Sequence, residues 1–364
     1  MRLVALVDGH SSDADNAYLL RVRMLTEAVR AQGHEVSMLY LLDRGTMKPS
    51  VCRALLGSRF RAELQGADLI HAANCIAAAA ALRGARGQTP VLYDVHGDAA
   101  AEARLEWSTK RSTYSASAML TMPYLDRVAR RGAKALLVVS QPSKDLYLRL
   151  GLPGERLFLV RNGVDLDLFA PSEVPPDGPE GERWIGYAGG THCWQGLPHL
   201  LKEFSALRGS PLRLRVIGFG AGDAALKREF EQKLGARAEL WDAMPRERMV
   251  GLLRECHALV IPRLPHPAVR VAMPTKFGEY SALGRPVLVN DVDETADLIR
   301  KHGSGLVSDW RPGGLRTTLE AFANMPRSEL QAMGDRARSL AEQEFAWPVL
   351  RAKYLDAVEY CMRS

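Results

Sequence analysis

The stretch MPTKFGEYSALGRPVLVN, Met273 to Asn290, decides how the rest of the chain is understood. Its pattern predicts a loop, a short helix and a buried strand. Thr275 stands where an N-cap belongs, Phe277, Tyr280 and Leu283 mark one apolar face, and Gly284 supplies the stop. The apolar run over Pro286–Asn290 suits a strand covered on both faces. Lys276 and Glu279 are three residues apart and share one side of the helix near its N-terminus. Unpaired N–H groups and partial positive charge there, with a lysine added, suit a phosphate. Glu279, an acceptor only, suits paired sugar hydroxyls. The competing expectation is an amphipathic helix whose lysine and glutamate are simply solvated.

Working outward, strand-like runs alternate with helical patterns along the chain. Before residue 170 the strands are expected at Leu3–Val7, Glu35–Tyr40, Asp68–His71, Val91–Val95, Ala135–Val139 and Leu157–Val160. After it they are expected at Trp184–Ala188, Leu214–Ile217, Ala258–Ile261, Val287–Val289 and Gly305–Val307. Such alternation means βαβ units and parallel sheets. PSEVPPDGPEGE, residues 171–182, has no periodicity and is the expected linker. The expected architecture is α/β: two Rossmann-like doubly wound domains facing across a cleft, 1–170 and 183–346. The helix 347–364 lies beyond the last strand.

Composition limits the function classes. With 364 residues, 47% hydrophobic and 25% charged, the chain has the profile of a globular protein with sizeable cores. The start, MRLVALVDGHSSDAD, predicts a first strand, not a signal peptide. The five cysteines (Cys52, Cys75, Cys193, Cys256, Cys361) are odd in number and form no C-x-x-C pair. They predict a reducing, cytoplasmic setting with neither a disulfide framework nor a zinc site. His257 and His266 have no partner at ligand spacing, so no metal is expected. Residues 1–170 hold 22 Lys and Arg against 17 Asp and Glu, with a cluster at Arg127, Arg130, Arg131 and Lys134. That cluster is either a solvated helix face or a peripheral contact for anionic headgroups or an acidic acceptor. No aromatic-interleaved basic stretch points to nucleic acid.

Several loops sit where a doubly wound fold binds ligands. Asp8-Gly9-His10 follows the first strand without a G-x-G-x-x-G fingerprint, which argues against a dinucleotide. His96 ends another strand, either facing a sugar hydroxyl or satisfied structurally. Arg161-Asn162-Gly163-Val164-Asp165 carries a turn signal with positive φ expected at Asn-Gly. Gly218-Phe219-Gly220-Ala221-Gly222 is either a phosphate or sugar loop or a tight βα turn. Trp194 and Trp241 either stack on a ligand ring or pack.

Taken in order, these segments resemble the large family 4 of retaining GT-B glycosyltransferases. Gln32–Val36, Ala67–His71, Tyr93–Gly97, Val138-Val139-Ser140 and Arg161–Asp165 with Phe169 and Pro171 resemble its first domain. Gly186–Gly190 with Trp194-Gln195-Gly196 resembles the opening of its second domain, and Pro274–Tyr280 its donor helix. The resemblance implies a nucleotide-diphosphate-sugar donor held without metal or other cofactor. It also implies a small-molecule, glycan or lipid-linked acceptor. It further implies attack from the front face with retention of the anomeric configuration, closure of the domains to exclude water, and a last helix, 347–364, that packs back on the first domain. Residue by residue, it implies His96, Lys276 and Glu279 in the catalytic set. Donor contacts are implied for Gly9, Gly189, Gly190, Gly218, Gly220, Arg263, Arg270, Pro274, Thr275 and Phe277. The acceptor side falls to His10, Ser11, Asn74 and His96. The chain departs from the family pattern at three places: Val271 replaces the first acid of E-x7-E, and Gly190 and Gln195 replace an Arg and a Lys. Two alternatives stay open: a binding or partner subunit without turnover, which these departures favour, and a nucleotide-sugar 2-epimerase on the same two-domain plan.

Overall fold

Two parallel sheets carry the chain, and the computed structural model describes residues 1–11, 17–44 and 56–363. The first unit comprises residues 1–162, 271–273 and 347–364, and the second comprises residues 163–270 and 274–346. Residues 163–170, expected in the first domain, therefore belong to the second.

In the first unit the apolar runs form β1 (Arg2–Val7), β2 (Glu35–Tyr40), β3 (Leu69–Ala73), β4 (Val91–Val95), β5 (Ala135–Val138) and β6 (Leu157–Leu159). They lie in the order β2-β1-β3-β4-β5-β6, and every neighbouring pair is parallel. All five residues of β3 and of β4 are buried, as expected for strands covered on both faces, whereas edge strand β2 buries none fully. Two apolar layers enclose the sheet. One is built on the alanine-rich helix Cys75–Ala85. The other joins Val22 and Leu25 to Leu350, Tyr354 and Val358 of the last helix, Trp347–Met362. The strand order reverses between β1 and β3, so the loops after these strands border the crevice where such sheets take ligands.

The second unit repeats the plan with β7 (Arg183–Ala188), β8 (Leu212–Phe219), β9 (Ala238–Asp242), β10 (Ala258–Ile261), β11 (Val287–Asn290) and β12 (Gly305–Ser308). The order β12-β11-β10-β7-β8-β9 is again parallel throughout, with its reversal between β7 and β10. Strand β9 was not foreseen: AELWD holds two charged positions, Glu239 and Asp242, and all five residues are at least partly exposed at the sheet edge. Trp241 lies in this strand beneath Arg248, whose guanidinium carbon is 5.2 Å from the ring.

Three local expectations change. Residues 171–182 are held against the second unit and are not a free linker: buried Arg285 donates to Ser172 O (2.6 Å) and Glu173 O (3.0 Å), and Val174 N–H donates to Gln331 Oε1 (2.8 Å). Val174 is itself fully buried, and its burial overrides the local turn composition. Neither Asn162 nor Gly163 takes a positive φ. That segment is held instead by Arg21, which donates to Val160 O and Arg161 O, and by Asn162 Nδ2, which donates to Met273 O (2.7 Å). The helix of the opening stretch spans Thr275–Ala282, with Pro274 as an N-cap that offers no side-chain hydrogen bond; Thr275 is its first helical residue. Gly284, at φ +66, ends it as expected. Cys52 and the middle of the loop between Ser11 and Tyr18 lie outside the described residues.

Candidate functional site

In the second unit the site forms where β7 and β10 end. Helix Thr275–Ala282 is fixed there because Phe277, Tyr280 and Leu283 are buried. The Tyr280 hydroxyl accepts from Ala188 N–H (2.7 Å) and donates to Ala188 O (3.0 Å), which ties the helix to the end of β7. Lys276 is thereby turned inward, and only 9% of its surface remains exposed. Its Nζ donates to the Tyr187 hydroxyl (2.9 Å) and to Gln195 Oε1 (3.1 Å), and the Tyr187 hydroxyl in turn donates to Gly190 O (2.6 Å). Both hydrogen-bond partners of the ammonium are neutral. Burial, with Arg263 nearby, lowers the Lys276 pKa to about 7, against a smaller upward pull from Glu279.

Glycines make room for this arrangement. Gly189 sits at φ +137, and a Cβ there would lie 2.7 Å from Lys276 Nζ. At Gly218 (φ +121) a Cβ would fall 2.4 Å from Gly189 O, so the ends of β7 and β8 touch backbone to backbone. Next to them Asp223 accepts from Gly220 N–H (2.7 Å) and from Thr191 Oγ1 (2.6 Å), which pins the glycine loop to the loop after β7. Trp194 stacks on His192, with centroids 4.6 Å apart and planes 11° apart.

Glu279 lies one turn beyond Lys276 with its side chain 14% exposed, and it pairs with Arg246 at the start of helix Arg246–Arg254. Its pKa is raised by burial, although Arg246 and Lys276 oppose the rise. The solvated alternative for Lys276 and Glu279 is therefore overturned. Other expected donor residues have contacts of their own. Arg263 is buried and its Nη1 donates to Asp293 Oδ2 at 2.7 Å, so that ion pair takes up its charge. Arg270 is exposed on the short helix Pro267–Val271, where a loop was expected. Phe277 is a core residue set edge-on to Phe345, with centroids 5.6 Å apart. Arg246 and Tyr187 were missed. Neither carries a local signal, because each becomes significant only through a partner far along the chain.

In the first unit a polar network lies under the strand ends. Asp94 is fully buried, and Arg21 donates to it from Nε (3.0 Å) and Nη2 (2.9 Å). His71 Nε2 lies 3.4 Å from the same carboxylate, and its Nδ1 is 3.0 Å from the Tyr354 hydroxyl. Burial alone would raise the Asp94 pKa, but Arg21, then His96 and His71, hold it well below the usual carboxylate range. His96 Nε2 is 3.6 Å from Asp94 Oδ2, and its ring packs edge-on against Tyr18 at 4.5 Å. Burial lowers the His96 pKa to about 4, so its imidazole is neutral at pH 7.

The loop after β1 is held by the segment that follows β2. Gly9 O accepts from Leu42 N–H (3.2 Å), Ser11 N–H donates to Asp43 Oδ1 (3.0 Å), and His10 Nδ1 lies 3.3 Å from the same oxygen. Asn74 caps helix Cys75–Ala85 by accepting from Ile76 N–H (2.9 Å) and Ala77 N–H (3.0 Å). That use accounts for its place at the head of the helix, where it sits at φ +81. Val271, where the first acid was sought, belongs to the first unit and receives the Ser140 hydroxyl on its carbonyl (2.6 Å).

Comparison with known proteins bears on both units. Residues 20–168 match the model "Glycosyltransferase Family 4", and residues 182–324 match "Glycosyl transferases group 1". WcaL of Escherichia coli (strain K12), assigned as a colanic acid biosynthesis glycosyltransferase, is 25% identical over 248 residues, 65% of this chain and 59% of its own. EpsF of Bacillus subtilis (strain 168), assigned as a glycosyltransferase, is 28% identical over 174 residues, 45% of this chain and 42% of its own. The chain thus spans about half the length of these curated relatives. Among solved structures, the sucrose-phosphate synthase from Thermosynechococcus elongatus superposes with a TM-score of 0.77 at 16% identity, covering 97% of each chain. HepE from Anabaena, in complex with UDP and glucose, gives 0.71 at 16% identity and covers 99% of each. With glycosyltransferase models matching both units and this fold along its length, the chain belongs to the GT-B glycosyltransferases.

Proposed function

We propose that the protein transfers a sugar from a nucleotide-diphosphate donor to an acceptor hydroxyl with retention at the anomeric carbon. The observation that carries this reading is Lys276: a buried ammonium at the first turn of an eight-residue helix, held by two neutral groups over Gly189. A buried charge without a counter-charge on its own hydrogen bonds is costly, and a bound diphosphate would relieve that cost. Lys276 also meets Gln195, so a cation reaches the residue that stands where the family pattern has a lysine. This supports an active enzyme over a subunit that only binds.

In this reading the diphosphate lies against Lys276 and the N–H groups of the helix start, and no metal is required to neutralise it. Glu279, steadied by Arg246, accepts from the ribose hydroxyls. As the glycosidic bond breaks, the leaving phosphate oxygen takes the proton of the incoming acceptor hydroxyl. The first unit supplies the acceptor side through His10, Ser11 and His96, and the neutral His96 serves as a hydrogen-bond partner for a sugar hydroxyl. The acceptor is a small molecule, a glycan or a lipid-linked sugar. The four described cysteines are free thiols, which fits a cytoplasmic setting.

HepE was solved with UDP and with UDP-glucose, so UDP-sugars are the first donors to test. Thermal shift with UDP, GDP, ADP, TDP and CMP at ~100 times the dissociation constant gives about 2.7 kcal/mol of stabilisation by the cognate nucleotide. In Lys276→Met that shift disappears, and sugar transfer falls by on the order of 10²–10³, the scale of removing one preorganised charge. Transfer near the wild-type rate in Lys276→Met removes the lysine from the mechanism. Donor consumed at full rate without any acceptor would favour the 2-epimerase.

A further inference from the structure

Helix Thr113–Gly132 shows an exposed stripe that the donor chemistry does not use. Residues 120, 124, 127 and 131 recur at helical spacing and share one face. Leu120 is 74% exposed and Tyr124 61%, more than any other large apolar side chain among the described residues. One and two turns further along, Arg127 and Arg131 are exposed, and Lys134 is exposed just past the helix end. The helix has one carboxylate, Asp126, and it is turned inward. It accepts from the Tyr93 hydroxyl (3.0 Å) and the Tyr147 hydroxyl (2.8 Å) and pairs with Arg130 Nε (3.3 Å). Arg130 is therefore no part of the outward charge, contrary to the sequence expectation. Its Nη1 donates instead to Leu150 O (3.4 Å), bringing alongside the end of helix Gln141–Arg149, where Leu148 (42%), Arg149 and Leu150 (43%) are exposed.

We propose that this face of the first unit docks on the anionic surface of a lipid bilayer. Leu120, Tyr124, Leu148 and Leu150 enter the boundary between headgroups and acyl chains, and Arg127, Arg131 and Lys134 pair with headgroup phosphates. The combination favours a bilayer over a soluble acidic partner. The apolar side chains stand exposed along one helix face and at the neighbouring helix end. A bilayer accepts such side chains and offers continuous negative charge beside them. An exposed tyrosine beside leucines suits the interfacial depth. No helix among the described residues is long and apolar enough to cross a membrane, so the contact lies in the plane of the surface. The proposal concerns the first unit alone and stands or falls without the transfer reaction.

Flotation of the purified full chain with phosphatidylcholine vesicles, with and without phosphatidylglycerol, tests it. The chain is expected to float with anionic vesicles and to stay behind with neutral ones. Each cation near such a surface contributes about fivefold to partitioning, so Arg127→Gln with Arg131→Gln lowers it about 25-fold. Leu120→Ser with Tyr124→Ser lowers it on the order of tenfold, while the thermal midpoint stays within a degree or so because neither side chain is packed. No flotation with anionic vesicles overturns the proposal, and so does equal partitioning onto neutral ones. Flotation that ignores the Leu120 and Tyr124 changes and is competed away by a soluble acidic polypeptide assigns the cations to an acidic protein instead.

Discussion

Buried charge is handled in opposite ways in the two units. Asp94 in the first is surrounded by Arg21, His71 and His96, and Arg21 continues to two backbone carbonyls. The network neutralises itself and joins β1's neighbouring helix to the end of β6. Lys276 in the second has neutral hydrogen-bond partners and a pKa drawn down to about 7 by burial. Breaking a self-neutralised network leaves a charge buried and unpaired, whereas removing a buried cation that has no counter-charge on its own hydrogen bonds removes a desolvation cost. The contrast separates a cluster that balances its own charge from one that does not, although both lie at strand ends.

The widest expected gap between the two regions is in stability. Asp94→Ala leaves Arg21 buried and unpaired, so urea denaturation should report a loss of about 3–5 kcal/mol. Lys276→Met removes a desolvated charge at nearly constant volume and should leave stability unchanged or higher. Equal losses in the two variants would erase the distinction.

Proton linkage gives the next largest effect. An unfolded lysine titrates near 10.5 and the folded Lys276 near 7, so between those values the unfolded chain holds more protons and stability rises with pH. Nucleotide affinity runs the other way. A diphosphate prefers the charged lysine, so affinity is level below pH 7 and falls by up to about tenfold per pH unit above it. Calorimetric titration of UDP at pH 6 and at pH 8.5 checks the slope, and Lys276→Met should flatten it.

The smallest change sharpens the comparison most narrowly. Gly189→Ala places a methyl 2.7 Å from Lys276 Nζ at a φ of +137. It should weaken nucleotide binding by about tenfold and cost about 1–3 kcal/mol of stability. The same substitution at exposed Gly222, where a Cβ meets nothing within 4 Å, should do neither.

Much of this was legible beforehand because parallel strands buried on both faces leave continuous apolar runs. Among the described residues, eleven of the twelve strands were found from such runs; β9 escaped because an edge strand with Glu239 and Asp242 breaks the pattern. The helix carrying Lys276 and Glu279 was legible from Phe277, Tyr280 and Leu283, whose spacing sets one buried face. The spacing of Lys276 and Glu279 placed them on one side, but it was silent on whether that side met water. The 171–182 segment was misjudged for a related reason. Pro and Gly announce an irregular backbone, and irregular backbone is still held firmly when Arg285, Arg327 and Gln331 satisfy it.

Local periodicity and turn chemistry by themselves determined two parallel α/β units, the position of the helix carrying Lys276 and Glu279 and the glycine loops at the strand ends. Only the tertiary structure decided which charges are available. Arg263 is taken by Asp293 thirty residues on, Glu279 by Arg246 thirty-three residues back, and Arg130 by Asp126 and the Leu150 carbonyl, while Lys276 is left with Tyr187 and Gln195. Secondary structure follows from interactions within a few residues, which a sequence displays. Desolvation and ion pairing depend on which distant segments are brought within 3 or 4 Å, and that is set only when the sheets assemble.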